Sequence, residues 1–401
     1  MIELRKVYLD HSATTPVRPE VAELVREYMT RCFGNPSSVH SFGREAKAGL
    51  TKAREQAAGA IGAHTEEIIF TSGGTEADNL ALRGAAYAYA NKGKHLITSA
   101  VEHHAVLDTC KELEKEGYSL TVLPVDEYGL IRMNDLRRAI TPETILISVM
   151  HVNNEVGTIE PIEEIGALAK ERGILFHTDA VQSLGKIPID VKKMNIDLLS
   201  ASGHKIYGPK GTGFLYAKRG IKLHPLVFGG GQERKLRPGT ENLPGIVGLG
   251  LAAALAVREM DMETARLQKL RDYMIKEILE KINDVQLNGH PDIRVSSNVN
   301  ISFKYVEGES LLLSLDMKGI AASSGSACTS GSLDPSHVLT AMGICHEVAH
   351  GSVRMTLGHD NTEEDIKYVL EALPPIVDRL RAMSPLYQQN RKECAGCTLK
   401  K

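Results

Sequence analysis

Short apolar runs recur along the first half of the chain: HLITSA, LTVLPV, TILISVM, GILFHTDA, DLLSAS and GTGFLYA. Several are separated by helical stretches of about ten residues or more, the rhythm of strand–helix–strand units. The pattern predicts an α/β fold with a mostly parallel mixed sheet flanked by helices. Ahead of these runs, Tyr8–Asp10 reads as a short strand and Pro16 and Pro19 open an amphipathic helix to about Met29. A helix over roughly Arg44–Ile61 follows, and then a strand over Glu67–Thr71. Between these helices, CFGNPSSVHSFGR is rich in turn formers and reads as an active-site loop or a plain surface connection.

After Phe228 the texture changes. The polar, Gly-rich FGGGQERKLRPGTENLPG leads into a helix from Ile246 towards Ile282, whose charged second half reads as a solvated exterior. Strands are expected at VNISF, LLLSLD and VRMTLG, with helices near the C-terminus. This predicts a large domain over residues 15–258, and a smaller α+β domain from residues 1–14 and 259–401 that carries a mobile cysteine loop.

The residues with chemistry cluster just after the apolar runs, at Thr71–Thr75, Glu102–His104, His151–Glu155, Asp179–Gln182 and Ser202–Lys205. In open α/β sheets, ligands bind outside the carboxyl ends of the strands, so the register points to one shared crevice. Lys205 stands where an apolar run meets the Gly-rich turn YGPKGTG. A partly desolvated amine there has a lowered pKa and is suited to Schiff-base formation, whereas a solvated turn lysine is not. In TSGGTEADN, glycines precede a helix start near Thr75. Backbone N–H groups there make an anion site, although a plain capped turn has the same composition, and neither nucleotide fingerprint is matched.

Asp179 ends a buried run and needs a cationic partner, such as a protonated pyridine nitrogen, or else caps a helix. His103 is placed to stack on a flat ring or move protons, or to be held in a structural hydrogen bond. Arg354, in an apolar strand, grips a substrate carboxylate or closes an ion pair. Cys328 lies in ASSGSACTSGSLDP, a stretch of small residues that leaves its thiol exposed, as a nucleophile or as a chance surface cysteine. Cys394 and Cys397 form a lone CxxC near the C-terminus, as free thiols, a metal contact or a sulfur relay. Cys32, Cys110 and Cys345 sit in helical or apolar surroundings and read as inert.

Composition narrows the function classes. The 401 residues are 42% hydrophobic and 24% charged, with a net charge of −3 and no basic block, which gives no footprint for nucleic acid. The apolar run Ile246–Val257 is shorter than a membrane span requires, and the N-terminus has no signal-peptide core. Six scattered cysteines fit a reducing cytoplasm better than a disulfide framework.

The ordered motifs YLDHSATTP, FGNPSSVHSFGR, SGGTEADN, HVNNEVGT, HTDAVQS, SASGHKIYGPKG, RPGTEN, SSGSACTSGSLDPSHVL and VRMTLG span almost the whole chain. In this set the chain resembles the cysteine desulfurases of the NifS/IscS type, fold-type I pyridoxal-phosphate (PLP) enzymes of the class V aminotransferase family. PSHVL is nearer the nitrogen-fixation-type members, and the CAGC tail departs from the usual IscS ending. The resemblance implies PLP on Lys205, its phosphate held by Gly74, Thr75, Ser202 and His204, and Thr240 reaching the cofactor of a second subunit in a homodimer. It further implies Asp179 on the pyridine nitrogen, Gln182 on the phenolic oxygen and His103 over the ring. Asn154 and Arg354 would hold the carboxylate of L-cysteine, and Asn154 also borders the cofactor. Cys328 would take the sulfur as a persulfide for an iron–sulfur scaffold or another acceptor, with a cluster contact at Cys328 as a further implication. A selenocysteine lyase, a transaminase of the same fold and a metal-holding scaffold are the alternative readings.

Overall fold

The computed structural model describes residues 5–324, 335–385 and 387. The apolar runs form the main sheet: β2 (Ile68–Thr71), β3 (His95–Ser99), β4 (Ser119–Leu123), β5 (Thr144–Ser148), β6 (Leu175–Asp179), β7 (Leu198–Ser202) and β8 (Gly213–Ala217). Their order across the sheet is β2-β8-β7-β6-β5-β3-β4. Strands β3 to β7 pair in parallel, and β8 is antiparallel to both neighbours. Residues alternate between the two faces, so adjacent side chains enter different cores. Phe70, Ile97, Ile147, Leu199 and Phe214 lie in one apolar cluster. Their neighbours Ile69, Leu96, Leu146, Leu198 and Leu215 lie in the other, with α3 (Gly74–Tyr89) and α4 (His104–Lys115). Burial on both faces explains why these strands read as continuous apolar runs.

On the first face, α1 (Pro19–Thr30) and α2 (Ser41–Gly59) pack against α7 (Leu243–Lys281). The α2–α7 approach is close: a Cβ on Gly250 would stand 2.6 Å from Ala53 Cα. The crossovers α5 (Met133–Ala139) and α6 (Ile162–Arg172) lie on this face too, through Leu136, Ile165 and Leu168. The apolar start of α7, including Ile246, Val247, Leu249 and Leu255, is therefore a core helix segment.

The later half of α7 supplies Leu267, Met274 and Ile278 to a separate apolar core. Around that core lie the antiparallel strands β9 (Val285–Leu287), β10 (Asn298–Phe303) and β12 (Ser352–Thr356), with α8 (Gly308–Asp316) and α11 (Glu363–Met383). The N-terminal β1 (Val7–Tyr8) joins it by pairing in parallel with β11 (Ile320–Ala321). Two short helices, α9 (His337–Ala341) and α10 (His346–His350), instead place Val338, Leu339 and Ala349 in the large core.

Two expectations are corrected. LLLSLD is helical, within α8, not a strand. The Glu307 side chain accepts from the backbone N–H groups of Glu309 and Ser310, which caps the helix start. Leu311 and Leu315 then face the core while Leu313 is exposed, a helical spacing that a three-leucine run conceals. Cys345 is exposed ahead of α10, not buried in apolar surroundings, whereas Cys32 and Cys110 are buried.

Candidate active site

One cavity at the carboxyl ends of the parallel strands gathers most of the residues singled out in the sequence. It is lined by Gly74, Thr75, His103, Asn154, Asp179, Gln182, Ser202, His204, Lys205 and Arg354. Ser12, Ala13, Asp78, Met150 and Val181 complete it. Thr240 is elsewhere, exposed on the loop before α7. Cys328, Cys394 and Cys397 lie outside the described residues. The CFGNPSSVHSFGR loop does not line the cavity, and its Phe33 is 64% exposed.

Helix α3 begins at Gly74, with Gly73 as its N-cap and no side-chain cap on its first N–H groups. Thr75 is thus in the first turn rather than the capping residue. A Cβ at Gly74 would meet Val181 Cγ2 at 2.7 Å and Ser202 Cβ at 3.7 Å, so glycine lets the helix start close against the cavity wall. Uncapped donors, the helix dipole and the Ser202 hydroxyl together suit a phosphate. His204 adds an imidazole whose Nδ1 lies 3.1 Å from Thr14 Oγ1. Burial, then Lys205 and Lys210, pulls its pKa down to about 4, so the ring is neutral at physiological pH.

Lys205 follows β7 in a single 3-10 turn, and its Nζ donates to the carbonyls of Ser12 at 2.5 Å and Ala13 at 2.8 Å. The side chain is half-buried and its amine points into the crevice, not into solvent as a turn lysine would. Asp179 ends β6, where its Oδ1 accepts from the Val181 N–H at 2.8 Å. Burial raises its pKa, while His103 and Lys205 pull the other way. A carboxyl buried at a cavity wall calls for a cation within that cavity. His103 caps α4: its Nδ1 accepts from Ala105 N–H at 3.1 Å, which leaves the proton of the neutral ring on Nε2. Burial lowers the His103 pKa, opposed by Asp179.

Arg354 on β12 reaches the cavity from the smaller core. Its Nη2 meets Asp10 Oδ1 at 2.8 Å and its Nη1 donates to Asn154 O at 3.0 Å. The guanidinium is therefore both in an ion pair and at the cavity wall. Also in the cavity wall, Asp78 is buried and its pKa is raised well above the usual carboxylate range by burial and then by Asp179. His177 bridges Ser148 at 2.8 Å and Ser200 at 3.0 Å, and burial pulls its pKa down to about 3.

The residues fit PLP: an uncapped helix start for the phosphate, a carboxyl for the ring nitrogen, and an amine in the same cavity. Sequence reasoning missed Ser12 and Ala13, which act through backbone carbonyls and carry no residue-type signal. It also missed Asp78, which sits within the quoted SGGTEADN and faces inward because it lies one helical turn after Gly74.

The aminotransferase class-V family model matches residues 7–369, and the chain belongs to that family. Within the family it is of the NifS/IscS type, as the ordered motifs implied. It is 59% identical over 384 residues to the cysteine desulfurase IscS of Methanosarcina thermophila, covering 96% of this chain and 95% of that one. A solved NifS-like protein is 36% identical with a TM-score of 0.88, covering 94% of this chain and 100% of that chain. SspA, solved in complex with cysteine, is 41% identical with a TM-score of 0.78, covering 88% of this chain and 99% of that chain.

Proposed function

We propose that the protein is a PLP-dependent cysteine desulfurase that converts L-cysteine to L-alanine and retains the sulfur as a persulfide on Cys328. The observation that carries this reading is the convergence of the Lys205 amine, the Asp179 carboxyl and the start of α3 on one cavity. When bound, PLP supplies the electron sink that makes the substrate α-proton acidic.

The chain's own residues do the rest. Lys205 would hold the cofactor through its amine, which the Ser12 and Ala13 carbonyls orient. Gly74, Thr75, Ser202 and His204 would hold the phosphate, and Asp179 would keep the ring nitrogen protonated. Gln182 donates to the ring's phenolic oxygen. His103 would stack on the ring, with Nε2 as the atom that carries the exchangeable proton. Asn154 and Arg354 fix the substrate carboxylate, so that its sulfur faces the incoming thiolate. Cys328 attacks that sulfur; the S–S bond forms as the C–S bond breaks, and alanine leaves. The persulfide passes to an acceptor protein such as an iron–sulfur scaffold.

Thr240, exposed before α7, completes the phosphate site of a second copy in a homodimer. Residues 15–258 form the cofactor-binding unit, and the described residues of 1–14 and 259–401, α9 and α10 apart, form the unit that brings Arg354. The reading suits a reducing cytoplasm, where Cys328 stays a thiol between turnovers.

Purified protein should be yellow with PLP and should release alanine and sulfide from cysteine. Cys328→Ala should abolish desulfuration and keep the colour, and Lys205→Ala should lose both. Activity retained by Lys205→Ala overturns the reading, as does selenium release from selenocysteine with no turnover of cysteine.

A further inference from the structure

A second lysine lies behind the site. Lys186, in the turn region after β6, lines a separate cavity with His11, Lys205, Glu259, Glu263 and His359. Lys205 lines both cavities, so it is the partition between them. The described carboxylates on the Lys186 side are engaged elsewhere. Glu259 meets Arg18 at 2.7 Å, and Glu263 meets Arg266 at 2.9 Å and His359 at 3.4 Å. Lys186 Nζ instead donates to Gln182 Oε1 at 2.9 Å. A buried amine held by a neutral amide is costly, and the hydrogen bond it makes is accordingly informative.

That bond and one to Ser12 together decide which way Gln182 points. The other end of the amide, Nε2, donates to the Ser12 carbonyl at 2.9 Å. A carbonyl only accepts, so the NH₂ group must face Ser12 and the oxygen must face Lys186. The same Ser12 carbonyl takes the Lys205 amine at 2.5 Å. Lys186, Gln182, Ser12 and Lys205 thus form one continuous hydrogen-bonded chain at the cavity floor.

We propose that Lys186 is a positioning residue for the cofactor: it pins the Gln182 oxygen, so that the Gln182 NH₂ group faces the phenolic oxygen of PLP, and it thereby tunes the acidity of the Lys205–cofactor linkage. The inference rests on the PLP reading above. Burial, then Lys205 and Arg354, pulls the Lys186 pKa down to about 7, which places its charge within reach of titration. His11, across the same cavity, is lowered by burial and does not offset that charge. An amide N–H held towards the phenolic oxygen stabilises the phenolate and so favours the deprotonated linkage.

The test is a pH titration of the yellow absorption band in PLP-loaded protein, from about pH 6 to about pH 10. Lys186→Met should move the transition upward by about half a unit or more, and Lys186→Arg should restore it. In a double-mutant cycle, Lys186→Met should add no shift to Gln182→Leu, because it acts through that amide. Should Lys186→Met fail to fold, Lys186→Gln takes its place. A yellow wild-type protein whose Lys186 variants titrate at the wild-type pH overturns the inference alone. So does a fully additive double mutant. A wild-type protein that takes up no PLP overturns the function reading and this inference together.

Discussion

Arg354 and Asp10 meet at 2.8 Å across 344 residues of sequence, one from the strand β12 and the other from the N-terminal segment. The pair holds the guanidinium at the cavity wall, with its Nη1 on the Asn154 carbonyl. Arg354→Lys keeps the charge and loses the fork, so kcat/KM for cysteine should fall by about 2–3 kcal/mol, roughly 30- to 150-fold. The loss should appear mainly in KM. Steady-state kinetics on the PLP-loaded protein check this, and an unchanged KM would take Arg354 out of substrate binding.

Asp179→Asn removes the charge that keeps the ring nitrogen protonated. A shift of about two pKa units there is worth about 2.7 kcal/mol, so kcat should drop by roughly 100-fold. Binding through Lys205 should survive, leaving the protein coloured. Stopped-flow absorbance with cysteine separates slow chemistry from lost cofactor.

His103 acts as a base only when neutral, and burial lowers its pKa below the ordinary histidine value. Activity should therefore hold through neutral pH and fall only on the acid side, below about pH 6.5. His103→Gln should flatten that acid limb while lowering the plateau. An acid limb that survives the substitution assigns it to another group.

Glu102 is buried with its Oε1 accepting from Ser99 Oγ at 2.6 Å and from Met150 N–H at 2.9 Å. Burial pushes its pKa up to about 8. A folded pKa above the unfolded one means the native state binds more protons. The contribution to stability is full below about pH 4.5 and is lost as pH rises towards 8. Glu102→Gln should thus gain on wild type between pH 5 and pH 8, in Tm measured across about that range. A difference in Tm that does not change with pH would show that Glu102 stays ionised.

Gly213 sits where β8 crosses under the start of α3. A Cβ there would stand 2.5 Å from Ala201 O and 2.8 Å from Gly73 Cα, all backbone atoms that have no rotamer to yield. Gly213→Ala should cost about 1–3 kcal/mol and weaken PLP uptake, because the phosphate-binding helix start must shift. Chemical denaturation and cofactor titration measure the two effects.

The crevice was legible in the sequence because buried parallel strands advertise themselves as apolar runs and their polar ends line up. Asp179 and Ser202 are the last residues of β6 and β7, and His103 and Lys205 follow soon after the ends of β3 and β7. LLLSLD was misread because three consecutive leucines match a buried strand as well as a helix, and the Glu307 cap that settles the matter precedes the run. The Lys205–Ser12 and Arg354–Asp10 contacts left no trace in the pattern. They join segments 193 and 344 residues apart, and one of them uses only a backbone oxygen.

The N-terminal segment is stitched into both bodies of the molecule: Asp10 on Arg354, His11 on the Thr356 carbonyl, Ser12 and Ala13 on Lys205, Thr15 on His204. These residues precede all of these partners in the chain, and half of the partners lie on β12. Closing so long a loop is slow, and the large sheet must fold while Asp10 and His11 wait for β12. The Lys205 amine can meet Ser12 and Ala13 as soon as β7 is in place, but the Arg354 guanidinium arrives only with β12, so a chain cut before β12 carries the strand scaffold and the amine without the arginine wall of the cavity.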